Sequence, residues 1–141
     1  MSTKVFLRLT NPRGVNIAPG SAAEARYQGW MPVFNFQAEV GPSGKESQLT
    51  VSKPMDGAST KLRRMRDRNE DQPCAGLIDV VQETPRGERS VYRYTLSGVM
   101  VRDVIVQPPA KIADTSERNI DPIEVVKFKC DRIVAPQVLM S

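Results

Sequence analysis

Hydrophobic and polar residues alternate along most of this chain with a period of two, which predicts strands. Lys4 to Thr10 sets Val5, Leu7 and Leu9 against Lys4, Arg8 and Thr10, with Phe6 among the polar set. Trp30 to Val40 reads as one strand, with Phe34, Phe36, Ala38 and Val40 on one face and Val33, Asn35, Gln37 and Glu39 on the other. After a Gly-Pro-Ser-Gly turn, Gln48 to Lys53 turns Leu49 and Val51 inward and Gln48, Thr50 and Ser52 outward, as the second arm of a hairpin. Leu77 to Gln82 is apolar on both faces, hence central. Ser90 to Leu96 follows, with Tyr92, Tyr94 and Leu96 on one face; Gly98 then permits a bend before Val99 to Val106. Pro122 to Cys130 turns Val126, Phe128 and Cys130 inward and Lys127 and Lys129 outward. Arg132 to Val138 is a last short strand whose Pro136 suits a sheet edge.

Two long stretches break the alternation. Asn11 to Gly29 holds no sustained period and reads as an arm, and Gln107 to Asp121 reads as a loop. One segment has helical spacing. Ser59 to Arg68 puts Leu62 and Met65, with the preceding Ala58, in one narrow stripe, and Ser59 is positioned to cap it. Seven or eight strands joined mainly by short links, with one helix, predict a mainly β fold: a two-sheet antiparallel barrel or sandwich flanked by an α-helix.

A chain of 141 residues predicts a single domain, residues 1–141. It has no apolar run of membrane-spanning length and no signal layout across Met1 to Thr10. Cytoplasmic synthesis follows, and any export must use a route without a cleaved signal peptide. Cys74 and Cys130 are expected to be unpaired, buried thiols, and no cofactor or metal is expected. Without any histidine, and with Asp79, Glu83, Asp103, Glu117 and Glu124 scattered singly, no catalytic constellation is visible and the chain is not expected to be an enzyme. Ser43-Gly44-Lys45 lacks the spaced glycines of a phosphate loop.

The charge draws attention to the helix. Lys61, Arg63, Arg64, Arg66 and Arg68 against Asp67 sum to +4, the net charge of the whole chain. Three readings stand: a solvated face, a protein contact surface, or a nucleic-acid contact. The last is disfavoured, because no aromatic residues are interleaved for base stacking. The face formed by Asn35, Gln37, Glu39, Gln48, Thr50 and Ser52 is polar yet nearly uncharged, which suits the wall of a wet channel.

The order of segments resembles the haemolysin-coregulated protein (Hcp) family, the tube subunit of bacterial type VI secretion systems, similar in fold to phage tail-tube proteins. The matching segments are Gln28-Gly29-Trp30-Met31-Pro32-Val33-Phe34-Asn35-Phe36; Ser52-Lys53-Pro54-Met55-Asp56 followed by Ala58-Ser59-Thr60-Lys61-Leu62; Tyr92 to Val101; and Ile123-Glu124-Val125-Val126-Lys127-Phe128. The loop from Gly41 to Ser47 is short for the family, and Thr60 stands where members commonly have proline. The resemblance implies homo-hexameric rings stacked into a hollow tube inside a contractile sheath. Sheath and tip proteins would be partners and small effector proteins the cargo. The six polar residues would then face the lumen, and Lys61, Arg63, Arg64, Arg66 and Arg68 would meet a neighbouring subunit or the sheath. The alternatives are a phage-type tail-tube protein and a nucleic-acid-binding β-barrel using the basic helix.

Overall fold

The computed structural model describes residues 2–107 and 122–140, without the side chain of Met140. Its strands are β1 (Ser2–Thr10), β2 (Met31–Val33), β3 (Asn35–Glu39), β4 (Lys45–Pro54), β5 (Cys74–Glu83), β6 (Arg89–Gln107) and β7 (Ile123–Met140), with one α-helix, α1 (Ser59–Arg68), between β4 and β5. All pairings are antiparallel, in one sheet of order β2-β1-β5-β6-β7-β4-β3. The two layers expected from the sequence are thus two halves of a single curled sheet. The loop expected across Gln107 to Asp121, with Glu117, lies outside the described residues beyond Gln107.

The expected strand from Trp30 to Val40 is broken at Phe34. Its first half, β2, pairs with β1; its second, β3, pairs with β4 at the opposite edge of the sheet. Nine consecutive residues therefore touch both edges and close the barrel, and the Phe34 N–H donates to Ser52 O at 2.7 Å across the seam. The break inverts the alternation. Met31 and Val33 point into the core from β2, whereas Phe36 and Ala38 do so from β3. Phe34 and Val40, expected beside them, are exposed at the two ends of β3.

β6 and β7 are single strands of 19 and 18 residues, where four shorter ones were expected. Gly98 bends β6 without ending it. Its φ is +60°, and a Cβ there would lie 2.1 Å from Asp131 Oδ2, so only glycine fits. β4 accompanies β7 only as far as Arg132. Beyond it β7 has a described strand neighbour on one side alone, and Pro136 sits in that edge half, as expected.

The interior packs Leu7 and Leu9, Leu49 and Val51, Ile78, Leu96, and Val126, Phe128 and Cys130 against Ala58, Leu62 and Met65 of the helix. β5 is buried on both sides, as its sequence predicts. On the outer side, the Asn11 to Gly29 arm folds back over β1, β5 and β6. Tyr27 stacks on Phe6 (centroids 4.3 Å apart) and meets Trp30 edge-on at 5.0 Å. The Tyr27 hydroxyl donates to the buried Asp79 at 2.9 Å, and Arg93 grips the same carboxylate through Nε and Nη2 at 2.7 and 2.9 Å. Cys74 and Cys130 are free and buried, as expected.

A buried ion cluster joins the helix to the sheet. Lys53 shares the inward parity of Leu49 and Val51 and is fully buried. Its ammonium donates to Pro54 O (2.8 Å), Asp56 Oδ1 (2.9 Å) and the buried Glu124 Oε1 (3.0 Å). Ser59 is not the cap that its position suggested. Asp56 accepts from the Ala58 N–H, and Ser59 Oγ instead accepts from the Asp56 N–H and donates to Glu124 Oε1. The helix ends at Asn69, which takes the left-handed conformation (φ 56°) that stops helices.

Removing one partner of a buried pair leaves an uncompensated charge. Lys53→Met is expected to lower unfolding stability by about 3 kcal/mol or more, and adding Glu124→Gln to return part of that loss; urea denaturation of the two variants and the parent checks both. Burial, then the hydrogen bond to Asp79, pushes the Tyr27 hydroxyl from 10.0 up to about 12. Because the folded pKa is the higher one, the stabilisation is complete below pH 10 and lost as pH rises through 12. The stability difference between the parent and Tyr27→Phe is therefore expected to shrink across that window.

Candidate functional site

Two features carry the functional question: the polar sheet face and the basic helix. The register decides the first. Asn35 lies opposite Ser52, Gln37 opposite Thr50 and Glu39 opposite Gln48, and directly opposed residues project to the same side of a sheet. All six residues singled out in the sequence therefore share one face, whose reverse side carries Phe36, Ala38, Leu49 and Val51. The face continues across β7, where Gln48 opposes Lys129 and Thr50 opposes Lys127. Next comes β6, where Met100 opposes Lys129 and Asp103 opposes Lys127, with Arg102 as the extra residue of a bulge.

Gln48, Thr50, Arg102, Lys127 and Lys129, with Glu46, line a concavity of about 550 Å³. Asn35, Gln37, Glu39 and Ser52 lie on the same face outside that lining. The face is thus more cationic than β3 and β4 alone implied. The outward parity of Lys127 and Lys129 was legible; their adjacency to Thr50 and Gln48 was not, because it depends on a pairing between segments about 80 residues apart.

The helix is less available than its sequence suggested. Lys61 binds Glu70 Oε1 at 3.2 Å and also Asp71 Oδ2. Burial works against its charge, yet the hydrogen bonds to Asp71 and Glu70 raise its pKa. Arg64 Nε donates to Glu70 Oε2 at 2.8 Å, and the bonds from Arg64 and Lys61 hold Glu70 below the usual carboxylate range. Arg66 pairs with Asp67 at 2.7 Å, reaches Asp103 at 3.8 Å and donates to Val104 O at 3.1 Å. Arg63 Nη2 stands 3.6 Å from Glu124 Oε2, a buried oxygen with no hydrogen bond. Arg68 forms no ion pair among the described residues and sits in the last turn, where the helix dipole favours a cation. Four of the five expected contact cations thus face acids of their own chain.

The model of the family described as "Type VI secretion system effector, Hcp" matches residues 6–135. The chain belongs to the Hcp family. Its fold superposes on the secreted protein Hcp3 of Pseudomonas aeruginosa with a TM-score of 0.70 at 14% identity, covering 99% of this chain and 98% of that one. It superposes equally on Hcp1 of E. coli EAEC 042 (TM-score 0.70, 14% identity, 99% of each chain). A chain of the sheath–tube complex of an extracellular contractile injection system matches more distantly (TM-score 0.50, 10% identity, 96% of this chain and 89% of that one). No curated protein matches the sequence. As an Hcp-family member the chain is a tube subunit of a type VI secretion system, and this sets aside the nucleic-acid-binding barrel. No helix among the described residues is long and apolar enough to cross a membrane.

The two arginines that face Glu124 and Glu70 are expected to differ in consequence. Arg63→Glu sets a like charge against the hydrogen-bond-free oxygen of Glu124 and is expected to cost about 2 kcal/mol. Arg64→Ala removes an exposed pair and is expected to move the urea midpoint only slightly.

Proposed function

We propose that six copies of this subunit, each acting as one domain over residues 1–141, close into a ring. Rings stack into a hollow tube whose bore is lined by Asn35, Gln37, Glu39, Gln48, Thr50 and Ser52. The observation that supports this best is the open half of β7. From Val134 to Leu139 every residue is exposed, including Val134, Val138 and Leu139, and one side of the strand lacks a strand partner among the described residues. An apolar strand edge of this kind invites pairing with another chain unless something covers it. A neighbouring copy covers it. The contact joins two different surfaces, and such contacts form rings when the rotation closes.

The wall residues in this reading are amides, hydroxyls and one carboxylate. These six hold water and offer no large apolar patch, so a passenger finds no hydrophobic grip on them. The partners are other copies of the chain, sheath and tip proteins around and ahead of the tube, and small effector proteins within it. Arg68, with the partly exposed Arg63 and Arg64, is the portion of the basic helix left for a neighbour or the sheath. The subunit works without catalysis, assembles in the cytoplasm and leaves the cell without a cleaved signal peptide.

The native mass is expected to be six times the 15.7 kDa of one chain, with annuli in negative-stain images. Val138→Asp with Leu139→Asp is expected to give a folded protein of single-chain mass. A parent protein that stays solitary at high concentration overturns the ring.

A further inference from the structure

Some of the described positive charges are held by acids of the same chain and others, the scattered Arg13, Lys45, Arg86 and Arg132 among them, are not. Those on the helix, and Lys53, Arg89 and Arg93, are held by acids of the same chain, apart from Arg68. Arg102, Lys127 and Lys129 are not: none has an ion pair or hydrogen bond among the described residues, and all three are exposed. They converge on the concavity of the polar face. The acid opposite Lys127 on the neighbouring strand is Asp103, but its carboxylate is committed elsewhere. It accepts from the Val104 N–H at 2.9 Å and lies 3.8 Å from Arg66 Nη1.

Lys127 and Lys129 are two residues apart on one face, so their stems stand about 7 Å apart, and Arg102 joins them from β6. Like charges so placed repel, and no ion pair among the described residues offsets that repulsion. A ligand with separate negative charges does. Gln48 and Thr50 flank the two lysines on β4, opposite the side from which Arg102 comes, and add neutral hydrogen-bonding groups.

We propose that this concavity binds the acidic surface of a folded protein, with Arg102, Lys127 and Lys129 meeting its carboxylates. A nucleic acid fits less well. Phe128 is the one aromatic residue in the lining, and it is buried, so no base can stack. Glu46 in the lining and Glu39 beside Gln48 interrupt the positive field, which a continuous phosphate backbone would meet as like charge. Carboxylates spaced over a protein surface pass between them. The proposal rests on the bore reading for where the partner lies: in a ring the three cations repeat on every copy and form a belt that favours acidic over basic passengers.

The test uses the full chain in its native assembly and fluorescent poly-L-glutamate of about 20 residues at low salt, where exposed charges are least screened. Anisotropy is expected to report binding that weakens at least tenfold in Lys127→Glu/Lys129→Glu and at least threefold in Lys127→Gln/Lys129→Gln. Arg86→Gln, in the exposed β5–β6 turn and outside the lining, is expected to leave it unchanged, and an oligothymidylate of equal length to compete poorly. Equal affinity in parent and lysine variants overturns the proposal, as does tighter binding of the oligothymidylate. Native mass, read on the same samples, separates the two readings. Single chains that still bind in a lysine-dependent way remove the ring and keep the surface. Rings whose binding ignores the lysines remove the surface and keep the ring.

Discussion

One buried ammonium organises this molecule. Lys53 lies beneath the junction of β4, the Asp56 turn, α1 and β7, and its three acceptors come from three of those parts. The ammonium has no route back to water, so each acceptor must stay within about 3 Å. That demand fixes the turn, and the turn fixes the helix start through Asp56 and Ser59. It reaches the arm as well, because the Ser21 N–H donates to Asp56 Oδ2 at 3.1 Å. A ten-residue helix has little stability of its own. Here the cluster at its first turn and the apolar stripe of Leu62 and Met65 hold it against the barrel.

The cluster also gives part of the basic helix an internal purpose. Glu124 faces Lys53 and Ser59 with one oxygen and Arg63 with the other, so the helix supplies charge to a buried acid. Farther along, Lys61 and Arg64 hold Glu70 and Asp71, which follow the helix directly and fold back on it. The field available to another molecule therefore lies chiefly on the sheet. A +4 segment that looks like a docking element in sequence is mostly a local charge balance in space.

Much of the molecule was legible from alternation. The inward sets Leu49 with Val51 and Val126 with Phe128 and Cys130 are buried, the helix runs from Ser59 to Arg68, and six polar residues of β3 and β4 share a face. Parity even pointed Lys53 and Glu124 inward; their residue type hid it, because a charged side chain is ordinarily read as exposed. The break at Phe34 was hidden for another reason. No glycine marks it, and its cause is the choice of partner, β1 for one half and β4 for the other, which local sequence does not encode. The bend expected at Gly98 is there, but the strand runs on through it instead of being two strands. The cationic part of the polar face needed the β4–β7 and β6–β7 registers, set by contacts between distant segments.

The length of β6 and β7 has a mechanical consequence. At about 3.3 Å per residue each follows a bent path on the order of 60 Å, and the two are paired along nearly all of it. A load applied along these strands is shared by many transverse hydrogen bonds at once, so they must slip together before any one yields. A load applied across the strands at the last residues of β7 opens the same bonds one after another. Thrust along the strands meets a stiff rod, while a sideways pull at Leu139 meets a zipper.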